Sequence, residues 1–167
     1  MEEPYVDKAR NNKIDPMSMA AVLLRQYPHK IIIPQDMVAV NNLTAPSKFK
    51  TVDFNSPQSF PGDWAFADIG PKTQAQFLDI IKTARTVFWD GPLGKYELNG
   101  CQQGTLSIAQ AIAVNSHTTV LAGGDTAAAA EKFDLIFNYT HVSIAGGAAL
   151  EYLAGRNLPG IDSLLDQ

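Results

Sequence analysis

The chemistry in this chain gathers around an aspartate set between a glycine pair and a helix. In "TVLAGGDTAAAAEKF" (119–133), β-favouring residues run into Gly123 and Gly124, then Asp125 and Thr126, then an alanine-rich stretch. A glycine turn that opens a helix gathers free backbone N–H groups, which favour an anion. Asp125 would repel that anion. Two readings stay open. In one, Asp125 or Thr126 caps the helix, worth on the order of 1 kcal/mol. In the other, Gly123 and Gly124 let a phosphate approach the backbone while Asp125 holds Mg²⁺. That hard cation takes carboxylate and phosphate oxygens together and keeps several waters.

Two further stretches have the same character. In "WDGPLGKYE" (89–97), Asp90, Gly91 and Pro92 form either a tight turn alone or one wall of a nucleotide site. In the second case Asp90 and Glu97 have work to do, because a carboxylate accepts paired hydrogen bonds from ribose hydroxyls. In "AGGAA" (145–149), Gly146 and Gly147 either allow close helix–sheet packing or aim their N–H groups at a transferring phosphate. Other chemistries lack their residues. The chain has no G-x-x-x-x-G-K-[ST] loop, no G-x-G-x-x-G, no H-E-x-x-H, no zinc-spaced Cys/His set and no G-x-S-x-G elbow. His29, His117 and His141 are scattered, and His29 and His117 flank expected strands.

The elements that would position these turns follow a strand–turn–helix rhythm. "KIDPMSMAAVLLRQYP" is a helix with Asp15 as N-cap and Pro16 at its first position. "KIII" (30–33) reads as a continuous apolar strand, and 35–62 as irregular or carrying short edge strands. "WAFADIG" leads into "PKTQAQFLDIIKTA", whose Phe77, Leu78, Ile81 and Ala84 share a face. "TVFWDGP", a helix near 103–114, "TTVLAGGD", a helix from about Thr126, "THVSIAGGA", "ALEYLAG" and "LPGIDSLLDQ" complete the order. Short apolar strands alternating with helices predict an α/β fold, a parallel sheet with helices on both faces. Such sheets hold ligands outside the carboxyl ends of their strands. Those ends read "DIGPKT", "WDGPLGKYE", "GGDT" and "AGGAA", and four such turns at one sheet edge favour a phosphate-bearing ligand.

Composition bounds the rest. The chain has 167 residues, enough for one domain that buries roughly 70% of its unfolded surface. Net charge is −4 and the pI is near 5.2 with no basic stripe, so nucleic acid is not the expected partner. Cys101 is the single cysteine, which excludes an internal disulfide and fits a reducing cytoplasm. "MEEPYVDKAR" does not read as a signal peptide, and no apolar run is long enough to span a bilayer. The triplets at Asn42 and Asn138 are read as chance.

"TVFWDGPLGKYE", "AGGDTAAA", "HVSIAGGAALEYLAG" and "LPGI", with "KIIIPQDMVAV" and "DIGPKT" upstream, closely resemble in order and spacing the nucleotide-binding domain of phosphoglycerate kinases. The resemblance covers the chain from about Glu3. It implies an incomplete C-terminal, Rossmann-like domain over residues 1–167, with the N-terminal phosphoglycerate-binding domain absent. It also implies a cytoplasmic glycolytic enzyme that moves a phosphoryl group between 1,3-bisphosphoglycerate and ADP with Mg²⁺, yielding ATP and 3-phosphoglycerate. Carried over residue by residue, Glu97 binds the ribose and Gly123, Gly124, Asp125 and Thr126 hold the nucleotide phosphates, with Asp125 as metal ligand. Asp90, Gly91 and Pro92 lie in the nucleotide site, and Gly146 and Gly147 face the transferred phosphoryl.

The departures from the family pattern are Asp90 for asparagine, Ala122 for glycine, and Ile144-Ala145 for threonine-glycine. The family's basic patch and nucleotide-contacting lysines have no counterpart here; Lys72 and Lys95 fall near the turns without matching them. Since phosphoryl transfer rests on positioning and charge stabilisation, the chain alone is expected to be inactive. The alternative is a non-catalytic nucleotide-binding or assembly module, with self-association through an exposed sheet edge.

Overall fold

A computed structural model describes residues 15–56, 60, 62–115 and 117–165. The chain divides into two compact units, Met1–Ile33 and Pro34–Gln167, each taken here by itself. "MEEPYVDKAR" lies outside the described residues.

In the first unit, helix α1 (Pro16–Gln26) starts as its sequence predicts. Asp15 accepts hydrogen bonds from the Ser18 N–H at 3.0 Å and from the Ser18 hydroxyl at 3.1 Å, with Pro16 in the first helical turn. The expected strand at 30–33 does not form. The N–H groups of Lys30 and Ile31 both return to the Tyr27 carbonyl, at 3.0 and 3.2 Å, closing a turn after the helix. Those donors are therefore lost to a ladder, whatever the β-propensity of three isoleucines.

The second unit begins with strands β1 (Asp36–Val40), β2 (Phe49–Asp53) and β3 (Ala65–Ile69). They form an antiparallel sheet in the order β2-β1-β3. Asn41 and Asn42 shape the β1–β2 connection. The Asn41 side-chain oxygen accepts from the Ser47 and Lys48 N–H groups, and that of Asn42 from Thr44 and Ala45. A single parallel sheet was expected to include "WAFADIG". Instead β3 runs antiparallel to β1, and β1, within a stretch expected to be irregular or edge-like, is the central strand.

The remaining elements follow the predicted alternation: α2 (Pro71–Thr83), β4 (Thr86–Asp90), α3 (Gln103–Ala113), β5 (Thr118–Ala122), α4 (Gly124–Lys132), a 3-10 turn at Ile136–Asn138, β6 (His141–Ser143), α5 (Gly146–Leu153) and α6 (Pro159–Leu165). Strands β4, β5 and β6 form a parallel sheet that brings Asp90, Ala122 and Ser143 level at its carboxyl edge. Trp89 and Leu121 of this sheet pack with Ile108, Ala109 and Ile112 of α3, Ala130 of α4 and Tyr139. Phe77, Leu78 and Ile81 of α2 lie against that cluster, the face the helical spacing predicts. The α/β class therefore holds, as a parallel three-stranded sheet flanked by helices beside an antiparallel one.

Helices α2 and α3 begin without a side-chain cap from their own N-cap residues, Gly70 and Gln102. Their orphan donors are met from the antiparallel sheet. Asp36, 1% exposed, accepts from the Lys72 N–H at 3.0 Å and the Thr73 N–H at 2.8 Å. Asp68, equally buried, accepts from the Gly104 N–H at 2.8 Å and the Ile69 N–H at 2.9 Å. A side chain at Gly70 would run into the Asp36 carboxylate, and one at Gly94 or Gly104 into that of Asp68. Burial pushes the Asp68 carboxyl up to about 6, against the pull of hydrogen bonds from Gly104, Ile69 and Gln103.

Candidate functional site

The carboxyl edge of β4-β5-β6 collects three of the four turns that the sequence singles out. The fourth, "DIGPKT", belongs to the other sheet. Its Asp68 is a buried helix cap, so it leaves the candidate set. Lys72 lies at the start of α2 and pairs with Asp53 of β2 at 2.5 Å, which raises its pKa above the usual lysine value.

At the end of β5 the chain turns sharply at Gly123 (φ 92°), a left-handed conformation that disfavours other residues, and enters α4. Gly123, without a side chain, is the residue at the cap, and no side chain caps this helix. The capping reading of Asp125 or Thr126 is thus corrected: α4 starts at Gly124, which moves both residues into the first turn. The Thr126 hydroxyl is buried and instead accepts the Gly91 N–H at 2.8 Å, tying the β4 turn to α4. The Gly123 N–H is committed to the Ser143 carbonyl at 2.9 Å, so the donors left at this turn are those of the first helical residues. Asp125 is exposed and accepts no hydrogen bond from a described residue.

The β4 turn is braced on several sides. Gly91 takes a positive φ of 101°, and its carbonyl accepts from the Trp89 indole at 2.8 Å. The Leu93 N–H reaches the Thr105 hydroxyl at 3.1 Å, and the Lys95 N–H reaches the Ala67 carbonyl at 2.7 Å. Farther along, Lys132 at the end of α4 donates to the Tyr96 carbonyl at 2.7 Å and lies 5.7 Å from its ring centroid. Burial raises the Tyr96 hydroxyl pKa, and the charges of Glu97 and Asp125 add to the rise. Lys132 therefore fixes the loop that carries Glu97 to the same helix that carries Asp125. Sequence reading missed Lys132, since its partner lies 36 residues away and nothing local marks it.

The third turn brings Gly146, the first residue of α5, against Gly123. A methyl group at Gly146 would stand 3.0 Å from the Gly123 Cα and 3.1 Å from Asp90 Oδ1. Gly147 is exposed, with open space around it. The structure thus draws Asp90, Gly91, Gly123, Thr126 and Gly146 together; Asp90 itself is exposed, as are Gly124, Asp125, Glu97 and Gly147.

Among the described residues, no group of three or more His, Cys, Asp or Glu gathers that could hold a metal ion alone. A lone exposed carboxylate at a helix start fits a cation that arrives with phosphate oxygens and water, the donor set Mg²⁺ prefers. Among the described residues, no helix is long and apolar enough to cross a membrane.

The family model for phosphoglycerate kinase matches residues 4–156. A phosphoglycerate kinase from Pseudothermotoga lettingae is 41% identical over 160 residues, covering 94% of this chain and 39% of the relative. One from Lactobacillus helveticus is 39% identical over 154 residues, covering 92% and 37%. Among solved structures, phosphoglycerate kinase from Coxiella burnetii aligns with a TM-score of 0.78 at 32% identity, over 87% of this chain and 38% of that one. The Pyrococcus horikoshii enzyme aligns at 0.79 and 26% identity, over 95% and 38%. The chain spans about two-fifths of the length of the relatives it matches.

Proposed function

This chain belongs to the phosphoglycerate kinase family, and from that premise we propose that it supplies the nucleotide side of a phosphoryl-transfer site. In the reaction proposed, the acyl phosphate of 1,3-bisphosphoglycerate passes its phosphoryl group to the β-phosphate of ADP, leaving ATP and 3-phosphoglycerate. Residues 1–167 are read as part of the C-terminal nucleotide-binding domain of a cytoplasmic glycolytic enzyme.

The observation that carries this reading is the meeting of Asp90, Gly123 and Gly146 at the carboxyl edge of the parallel sheet, where Asp125 presents a free carboxylate. Open α/β sheets bind ligands at that edge. The roles proposed are those that the family resemblance implies. The first N–H groups of α4 face the nucleotide phosphates, Gly91 and Pro92 form the wall opposite, and Glu97 accepts the ribose hydroxyls. The N–H groups of Gly146 and Gly147 face the transferring phosphoryl. Asp125 would hold Mg²⁺, which when bound neutralises phosphate charge. The site's described cations, Lys132 and Lys95, are a loop strap and an exposed side chain, so positive charge for the transition state has to come from elsewhere.

Calorimetry with ADP, with and without Mg²⁺, tests the binding claim. The chain is expected to bind Mg·ADP weakly, and Asp125→Asn to lower that affinity about tenfold or more. A coupled assay on the chain alone is expected to give no turnover. Equal heats with and without Mg²⁺, in both proteins, would sink the metal role of Asp125.

A second reading keeps the fold and drops the catalysis: a non-catalytic binding or assembly module. It is favoured by the sheet edges: among the described residues, β2 and β3 flank the antiparallel sheet and β4 and β6 the parallel one. Unpaired edges of this kind template association.

A further inference from the structure

Helix α4 grips the loop after β4 at both of its ends. Near its start, the buried Thr126 hydroxyl accepts the Gly91 N–H at 2.8 Å. At its last residue, Lys132 Nζ donates to the Tyr96 carbonyl at 2.7 Å and lies 5.7 Å from the centroid of the Tyr96 ring. A lysine in a last helical turn commonly serves the carbonyls of its own helix. This one reaches instead to a loop 36 residues earlier. The residue it holds is firmly packed, since Tyr96 is 8% exposed and its ring meets Phe133 edge-on at 6.5 Å.

Two acids of the proposed site flank this contact. Asp125 lies seven residues before Lys132, on the same face of α4. Glu97 follows Tyr96 directly, is exposed, and accepts no hydrogen bond from a described residue. The charges of both acids reach the Tyr96 hydroxyl. The loop is held earlier at Leu93 and Lys95, whose N–H groups go to Thr105 and Ala67. Beyond Tyr96, the N–H groups of Leu98 and Cys101 only close turns within the loop. The Lys132 contact is thus the tie nearest Glu97, and it leads to the helix that carries Asp125.

We infer that Lys132 is a positioning residue: by holding the Tyr96 carbonyl against the end of α4, it sets Glu97 at the span from Asp125 that separates a nucleotide's ribose hydroxyls from its phosphates. The inference rests on the nucleotide reading above and adds to it the residue that fixes this span. Lys132 touches no ligand, and its effect passes through Glu97. A charge-assisted hydrogen bond is roughly twice as strong as a neutral one, enough to order a loop that its own turns leave free. Its loss releases Glu97 but spares the phosphate end, where Thr126 still holds Gly91.

The test measures affinities for ADP, 2′,3′-dideoxy-ADP and inorganic pyrophosphate, in excess Mg²⁺, by calorimetry. The ratio of the first two reads the ribose hydroxyls alone, because a general loss of positive charge acts on both alike. The chain is expected to bind ADP about tenfold tighter than the dideoxy analogue. Lys132→Met is expected to shrink that preference below about threefold while pyrophosphate affinity changes by about twofold or less. Lys132→Arg, which keeps a charged donor, is expected to restore most of the preference. In a Glu97→Gln background, Lys132→Met is expected to change it no further. Lys132→Gln serves as a second truncation, and circular dichroism checks that each variant is folded. If the truncations keep the preference, or weaken all three ligands equally, the inference is overturned while the nucleotide reading stands. If the chain itself binds ADP and the dideoxy analogue alike, the ribose role of Glu97 falls and takes this inference with it. If it binds none of the three, the nucleotide reading falls as a whole.

Discussion

Gly123 carries two separate constraints that a single substitution can pull apart from those of its neighbour. Its φ of 92° lies where a β-carbon is strained, and the space that carbon would fill belongs to Asp90 Oδ1. Gly124, one residue on, is helical and faces open space. Gly123→Ala is therefore expected to lower unfolding free energy by about 1–3 kcal/mol, and Gly124→Ala to change it by less than about 1 kcal/mol. Urea titrations of the two variants would show the difference, and equal midpoints would refute it. Thr126 belongs at the same scale. From the sequence it reads as a cap for its own helix, yet its hydroxyl serves Gly91 across the strand ends. A hydroxyl in a first turn looks alike in both roles, because the choice depends on a partner 35 residues away.

At the scale of elements, α2 and α3 lean on the antiparallel sheet for their first turns. Asp68 gives this dependence a pH signature. Its folded pKa, near 6, stands above the ordinary carboxylate value of 3.8, so the folded state holds the proton more tightly than the unfolded chain. The resulting stabilisation is fully present below about pH 4 and is lost as pH rises through about 6. Asp68→Asn removes it. The stability difference between the chain and the variant is then expected to shrink steadily between pH 4 and 7, and parallel stability curves would count against this account. The same carboxylate explains an error in reading the sequence. "DIG" at a strand end and "WDG" at another look equivalent, but the first aspartate points into a helix start from an antiparallel sheet and the second opens onto the shared edge. Strand direction separates them, and strand direction is set by pairing, not by local residues.

At the scale of the whole molecule, what was legible was what is local. The alternation from α2 onward, the face of α2, and the turns after β4, β5 and β6 all follow from short-range patterns. The central place of β1 did not, because "DMVAV" is buried by partners on both sides, and "KIII" failed because a turn claimed its donors. Association belongs to this scale as well. Phe66 of β3 meets Phe54 edge-on and Phe60 at a tilt; Phe54, Phe60 and Phe66 are 51%, 37% and 39% exposed, and Phe49 on edge strand β2 is 47% exposed. With β2 and β4 as edge strands among the described residues, the chain is expected to self-associate at micromolar to millimolar concentrations, roughly the range in which exposed apolar surface and unpaired edges associate. Sedimentation velocity across that range would detect it, and a single monomer boundary throughout would rule it out.

The borrowed caps also set an order of assembly. Asp36 lies 36 residues before the Lys72 amide it holds, and Asp68 lies 36 before that of Gly104. Neither helix can complete its first turn from its own sequence, so each must wait for a strand made earlier in the chain to arrive and pair. Closing such loops before their contacts reward it slows folding and makes it collective. Helices α2 and α3 are thereby denied an independent life: they fray or persist with the antiparallel sheet. The layer beside the carboxyl edge of the parallel sheet becomes one cooperative unit instead of a set of parts.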